Sequence, residues 1–175
     1  MPVPVPASDA GLRTLSSRLG EVLLEQGLML ACAESCTGGW VAKSLTDIAG
    51  SSCWFERGFV TYTNQSKTDM LGVASSLLET EGAVSEMVVR AMAEGALSRS
   101  LADLSLAISG IAGPGGGSDD KPVGLVWFAW SRTGISGNVE AVSRQQVFSG
   151  DRESVRRQAV AYALQGVLSI LNVAH

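Results

Sequence analysis

Residues 28–47 constrain the fold more than any other stretch of the chain. An apolar run from Leu28 to Ala33 passes through Glu34-Ser35-Cys36-Thr37-Gly38-Gly39 into the amphipathic stretch Trp40 to Asp47. That order predicts a strand, a tight polar turn and a helix. Two small hydroxyl residues and two glycines at a helix start leave backbone N–H groups free to face an anion, with the positive end of the helix dipole behind them. A phosphate or a carboxylate fits such a place, and an N-capped turn explains the same residues equally well. The spacing is neither Gly-x-x-x-x-Gly-Lys-Ser/Thr nor Gly-x-Gly-x-x-Gly, which points away from ordinary ATPases and dehydrogenases.

Other segments extend the pattern. Leu12, Leu15, Leu19, Val22 and Leu23 share one helical stripe that ends at Gly27, a C-terminal cap. Trp54 to Thr63 is rich in aromatic and β-branched residues and reads as a strand, bulged at Gly58. Ser66-Lys67-Thr68-Asp69 has the form of a capping box that starts a short helix with Lys67 in its first turn. Ser85 caps a helix over Glu86 to Ser98, and Leu104 to Ile108 reads as a buried strand. The segment from Ser109 to Ser118 is too glycine-rich for a helix or a packed strand, and lets backbone approach a ligand closely. Strands over Gly124 to Trp130 and Ala141 to Phe148 and a final helix from about Asp151 complete the order. Helices interleaved with strands at this spacing predict a three-layer α/β domain with a mixed sheet, the last hairpin supplying its antiparallel part.

With 175 residues, of which 46% are hydrophobic and 17% charged, the chain suits one domain preceded by a loose proline-rich arm over residues 1–10. A net charge of −4 argues against nucleic acid or an anionic membrane surface as partner and in favour of a small molecule. The start lacks the basic and apolar regions of a signal peptide and no run reaches spanning length, so a cytoplasmic location is expected. Cys32, Cys36 and Cys53 show no metal or disulfide spacing and read as buried reduced thiols. The one histidine is His175, the last residue, so neither a Ser-His-Asp triad nor a Cys-His pair can be assembled within one chain. Apart from Asp119-Asp120, no carboxylate cluster suggests metal ligands, and no metal is expected.

Five uncommon segments occur in order: Ala33 to Gly39, Gly50-Ser51-Ser52, Gly58-Phe59-Val60-Thr61-Tyr62 with Asn64 and Lys67, Gly82-Ala83-Val84-Ser85, and Ser109-Gly110-Ile111-Ala112-Gly113-Pro114. Together they resemble the CinA C-terminal domain family over about residues 12–170, and within it the stand-alone nicotinamide-nucleotide amidohydrolases. The resemblance implies a three-layer α/β/α sandwich around a mixed sheet. It also implies hydrolysis of the carboxamide of nicotinamide mononucleotide to nicotinic acid mononucleotide and ammonia, without a cofactor, in pyridine-nucleotide salvage and so in NAD metabolism. A homo-oligomer is compatible with it. Since proteins of this family also carry a competence and DNA-damage name, the competing expectation is a non-catalytic nucleotide-binding or interaction module.

Amide hydrolysis without metal needs a nucleophile, a base that is neutral when it acts and donors for the oxyanion. Lys67 is the expected base, provided burial lowers its pKa; nearby Asp69 would oppose that shift. Ser52 and Ser35 compete as nucleophile, since each lies in a small-residue turn that the family pattern includes. Ser52 is favoured because its turn leads into the strand that delivers Tyr62 and Lys67, and Ser35 is then assigned with Thr37 to substrate or oxyanion binding. Tyr62 would orient Lys67 or donate to the oxyanion, or else simply pack. Gly38, Gly39, Ser109 and Gly110 are expected at the substrate site, and Arg152 is expected to pair with the substrate phosphate. Glu34 would orient a ribose hydroxyl or the lysine, or stabilise its turn. Cys36 lacks an activating histidine and reads as a small buried spacer.

Overall fold

The computed structural model describes residues 7–172. The chain runs α1 (Asp9–Gln26), β1 (Leu30–Glu34), α2 (Trp40–Thr46), a 3-10 turn (Ser51–Cys53), β2 (Phe55–Val60), α3 (Asn64–Leu71), α4 (Ser75–Glu81), α5 (Glu86–Ser98), β3 (Leu104–Gly110), β4 (Leu125–Thr133), β5 (Val139–Val147) and α6 (Arg152–Asn172). The five strands form one sheet in the order β2-β1-β3-β4-β5. β1 pairs parallel with both β2 and β3, whereas β4 runs antiparallel to β3 and β5 antiparallel to β4. This is the expected three-layer sandwich around a mixed sheet. The helix α4 was not anticipated: its seven residues bury only Leu78 and carry no apolar stripe long enough to announce a helix. Among the described residues no helix is long and apolar enough to cross a membrane.

Side-chain alternation sorts the sheet residues into two cores. On one face Leu30, Cys32, Leu106, Ile108, Phe128 and Trp130 meet Leu15, Leu19 and Leu23 of α1, Val41 and Leu45 of α2, and Val155, Ala159 and Val160 of α6. On the other, Ala33, Ala107 and Ala129 lie against Val88, Val89, Met92 and Ala96 of α5 and Leu71 of α3. Those three alanines are register partners in successive strands, which makes a row of small side chains across the sheet. Helix α5 can therefore approach the sheet closely, and Ser105 Oγ donates to the Ala93 carbonyl at 2.6 Å.

Local signals set the helix ends. Gly27 closes α1 in the left-handed conformation that a Cβ disfavours, and Ser85 accepts from the Val88 N–H at the start of α5. The capping box of α3 lies three residues before its expected position: Thr63 is the N-cap, and its hydroxyl and that of Ser66 exchange bonds with each other's backbone N–H. Lys67 consequently sits in the second half of the first turn rather than beside the cap. Gly58 is no bulge; the ladder irregularity lies between Leu30 and Ala31, opposite Phe55 and Arg57, while Gly58 pairs with Cys32 and leaves room for its sulfur. Ser8 is the N-cap of α1 and Asp9 and Ala10 belong to it, so the helix reaches into the segment expected as an arm; residues 1–6 and His175 lie outside the described residues.

The contact between α3 and α5 depends on Gly95. A Cβ there would come within 2.2 Å of the Leu71 carbonyl oxygen in the last turn of α3, a backbone atom that cannot rotate away. Gly95→Ala is expected to cost about 1–3 kcal/mol in urea-unfolding measurements through overpacking, despite the better helix propensity of alanine.

Candidate active site

The parallel strands β1, β2 and β3 all end at one edge of the sheet, the usual place for a ligand in such folds. Glu34 closes β1, and the chain turns at Ser35, whose N–H donates to the Ile108 carbonyl of β3 at 3.0 Å. On the other side the Thr61 N–H donates to the Glu34 carbonyl at 2.8 Å, which carries the β1–β2 pairing one residue past the strand. Helix α3 then returns Lys67 to this edge. Its Nζ lies 3.1 Å from Ser35 Oγ and donates to the Thr61 carbonyl at 2.9 Å.

Lys67 is 1% exposed. No carboxylate among the described residues forms an ion pair with it. Asp69, expected to oppose a lowered pKa, points outward and accepts from Gln65 Nε2. Burial without a counter-charge disfavours the ammonium and holds the amine below its ordinary value of 10.5. Cys36, beside Ser35, moves the other way. Burial, and then the Glu34 charge, push its thiol up to about 12, so it stays protonated near neutrality and is no thiolate nucleophile.

Ser35 and Lys67 open into a cleft of about 220 Å³. Ala83, Val84 and Ala112 give it apolar walls, and Cys36, Tyr62, Asn64, Ser109, Gly110 and Arg152 complete the lining. Ser109 acts through its hydroxyl, which donates to the Ala83 carbonyl at 2.7 Å and fastens the segment before α5 to the end of β3. Gly110 needs its missing side chain, because a Cβ would meet Val126 and the Leu125 carbonyl within 3 Å. At the rim, Arg152 donates to the Gly113 carbonyl and to the Tyr62 hydroxyl, each at 2.8 Å. Tyr62 is 57% exposed, so it neither packs in the core nor touches Lys67 through a hydrogen bond. A larger depression of about 620 Å³ follows α1 from Arg13 to Glu25, but its lining brings no nucleophile to a base.

Ser52 is not in this cleft. It lies exposed in the 3-10 turn that precedes β2, whereas Lys67 follows that strand. Six residues at about 3.3 Å each put roughly 20 Å between the two ends. A strand–helix–strand unit pairs its strands in parallel, so the residues that follow β1 and β2 share an edge, and that signal favours Ser35 over Ser52. Glu34 is corrected as well. Its buried carboxylate accepts from the N–H groups of Gly39, Val41 and Ala42 at 3.1, 3.0 and 2.9 Å, and the Cys32 thiol lies 3.7 Å away. The anion at the start of α2 is therefore the chain's own side chain, which stabilises its turn, the second of the roles expected for it, and neither lines the cleft nor bonds Lys67. Gly38 and Gly39 shape this turn and do not line the cleft, and the Thr37 hydroxyl is buried without a hydrogen-bond partner among the described residues. Cys32 and Cys36 are buried free thiols, but Cys53 is exposed.

Four residues escaped the sequence-based assignment of the site. Asn64, Ala83, Val84 and Ala112 line the cleft, and each stands in one of the five motif segments without having been given a place at the site. Among the described residues no group of three or more His, Cys, Asp or Glu side chains is placed to hold a metal ion.

Comparison with known proteins shows the family to which the chain belongs. Residues 12–171 match the CinA C-terminal domain. The chain is 56% identical over 158 residues to nicotinamide-nucleotide amidohydrolase PncC of Escherichia coli K12, spanning 90% of this chain and 93% of that one. It is 48% identical over 155 residues to a CinA-like protein of Geobacter sulfurreducens, covering 88% of this chain but 36% of the longer relative. Its structure superposes on that of competence/damage inducible protein CihA from Agrobacterium tumefaciens with a TM-score of 0.84 at 46% identity, over 98% of this chain and 99% of that one.

Two stability measurements follow from these contacts. Glu34→Ala leaves buried N–H groups at the start of α2 without acceptors and is expected to cost at least about 2 kcal/mol. Lys67→Met removes the burden of a buried amine. Below its lowered pKa the folded chain must hold a proton it binds more weakly than the unfolded chain does, so the stability contributed by Lys67 rises with pH up to 10.5. Lys67→Met is expected to melt no lower than the wild type at pH 7, with the difference shifting towards the wild type as pH approaches 10.5.

Proposed function

From the premise that this chain belongs to the CinA C-terminal domain family, we propose that it hydrolyses the carboxamide of nicotinamide mononucleotide to nicotinic acid mononucleotide and ammonia, with Ser35 as nucleophile and Lys67 as base. The observation that carries this reading is the 3.1 Å contact between Ser35 Oγ and a buried amine with no counter-ion among the described residues. Relatives at 50–56% identity named nicotinamide-nucleotide amidohydrolase support the substrate class. Free Cys32, Cys36 and Cys53 fit a reducing compartment, and the cytoplasm is the proposed location.

The neutral Lys67 amine takes the Ser35 proton as Oγ attacks the carboxamide carbon. The Thr61 carbonyl holds one amine hydrogen and so aims the nitrogen lone pair at Ser35. The negative charge on the former carbonyl oxygen needs donors that are already in place. The N–H groups of Cys36 and Thr37, which follow Ser35 in its turn, make no hydrogen bond to another residue among the described residues and are the proposed donors. When the tetrahedral intermediate collapses, the C–N bond breaks and the Lys67 ammonium returns its proton to the departing nitrogen, releasing ammonia. Water, deprotonated by Lys67, then cleaves the Ser35 ester and restores the hydroxyl. The nicotinamide ring lies between Ala83, Val84 and Ala112, and the ribose phosphate extends to Arg152 at the rim.

Ammonia release from nicotinamide mononucleotide in excess chelator tests this assignment. Ser35→Ala and Lys67→Met are each expected to lower kcat by about 10²–10⁴, while Ser52→Ala keeps turnover within a few-fold. Nucleotide binding without any wild-type turnover would favour the interaction-module reading instead. The acid limb of kcat/KM is expected to follow the amine, with activity rising with pH through a value below 10.5, and Lys67→Met should abolish that limb.

A further inference from the structure

We infer that Arg156 is a positioning residue for the reaction, acting through the backbone of the turn that follows Ser35; the inference rests on the amidase assignment of that turn. Arg156 projects from α6, in the helix layer opposite that of α3, and does not line the cleft. Its Nε donates to the Cys36 carbonyl and its Nη2 to the Thr37 carbonyl, each at 3.0 Å. One rigid guanidinium thus grips two successive carbonyls. Its position is fixed in turn by Trp40, over whose ring the guanidinium carbon sits 5.4 Å from the centroid.

A trans peptide is planar, with its C=O and N–H antiparallel. Holding the Cys36 carbonyl towards α6 therefore turns the Thr37 N–H away from α6. The neighbouring unit is fixed by another bond, because the Gly38 N–H donates to the Ser35 carbonyl at 3.0 Å and so sets the direction of the Cys36 N–H. Two adjacent N–H groups are left without acceptors on other residues among the described residues, each in a peptide unit whose orientation is fixed. A charged donor on the Cys36 oxygen also polarises its peptide unit and makes the Thr37 N–H a stronger donor. Both effects grow in value as charge builds on the substrate oxygen, so they act on the transition state more than on the bound substrate.

Arg156→Lys tests this, because lysine keeps the charge and can reach Trp40 but cannot bond both carbonyls. The expected result is a 10- to 100-fold fall in kcat with KM changed less than threefold and an unchanged melting temperature. In the resting protein, the amide resonance of Thr37 should shift while those of residues remote from the turn stay in place. Trp40→Leu, which removes the stacking and leaves the fork, is expected to lose much less kcat than Arg156→Lys. Unchanged kcat, a proportional loss of kcat and melting temperature, or an unmoved Thr37 resonance would each overturn the inference. The resonance is read without substrate, so if the wild type fails to release ammonia the amidase assignment falls on that result, while the Thr37 arm still decides whether Arg156 orients the turn.

Discussion

The site depends first on one buried carboxylate. Glu34 ends a central strand and its two oxygens accept three N–H groups from the start of α2. Such N–H groups have no partner within their own helix, and the helix dipole adds to their pull on negative charge. The next residue, Ser35, is held by its own N–H to β3. Strand, turn and helix are thereby locked together within a few residues, and the serine hydroxyl is left facing the one direction from which a lysine arrives. An external anion would need the same N–H groups, so the motif that looks like a phosphate cradle is already satisfied from within.

The lysine is the complementary constraint. An ammonium buried among neutral oxygens loses its hydration and gains no opposite charge, and among the described residues the Lys67 amine hydrogen-bonds only Ser35 Oγ and the Thr61 carbonyl. The fold accepts this because α3 is packed rigidly. Leu71 is buried at its end, Gly95 lets α5 come into contact with it, and Thr63 and Ser66 cap its start. A strained electrostatic state is in this way imposed by ordinary packing and capping. What is unfavourable for the charged amine is useful for proton transfer, since the neutral form is the one that can accept a proton from serine.

Much of this was legible along the chain. The continuous apolar run of β1 reflects burial on both faces by two helix layers, as its uniformly buried pattern shows. Gly27, Ser85 and the stripe of α1 marked helix limits because caps and amphipathic faces are local properties. Local reasoning failed where two solutions were equally good over a few residues. Thr63 and Ser66 both suit an N-cap, and only the backbone direction on leaving β2 decides between them. Helix α4 is short and mostly exposed, so its sequence carries little periodic signal.

Composition, motif order and strand–helix alternation determined by themselves the layered α/β architecture, the family, and the group of residues from which a site could be drawn: Ser35, Ser52, Tyr62, Lys67, Ser109 and Arg152 among them. The strand–helix–strand order already favours Ser35 over Ser52, but which of these residues touch was decided by the tertiary structure. Ser35 and Lys67 are 32 residues apart in the chain and in hydrogen-bond contact, while Ser52, closer in sequence, lies beyond the far end of a six-residue strand. The same holds for Arg156, which reads as one more charge on a terminal helix until its guanidinium is found on the carbonyls of Cys36 and Thr37, 120 and 119 residues away. The physical reason is that a strand converts chain distance into spatial distance, whereas parallel pairing brings the ends of separate strands to one edge.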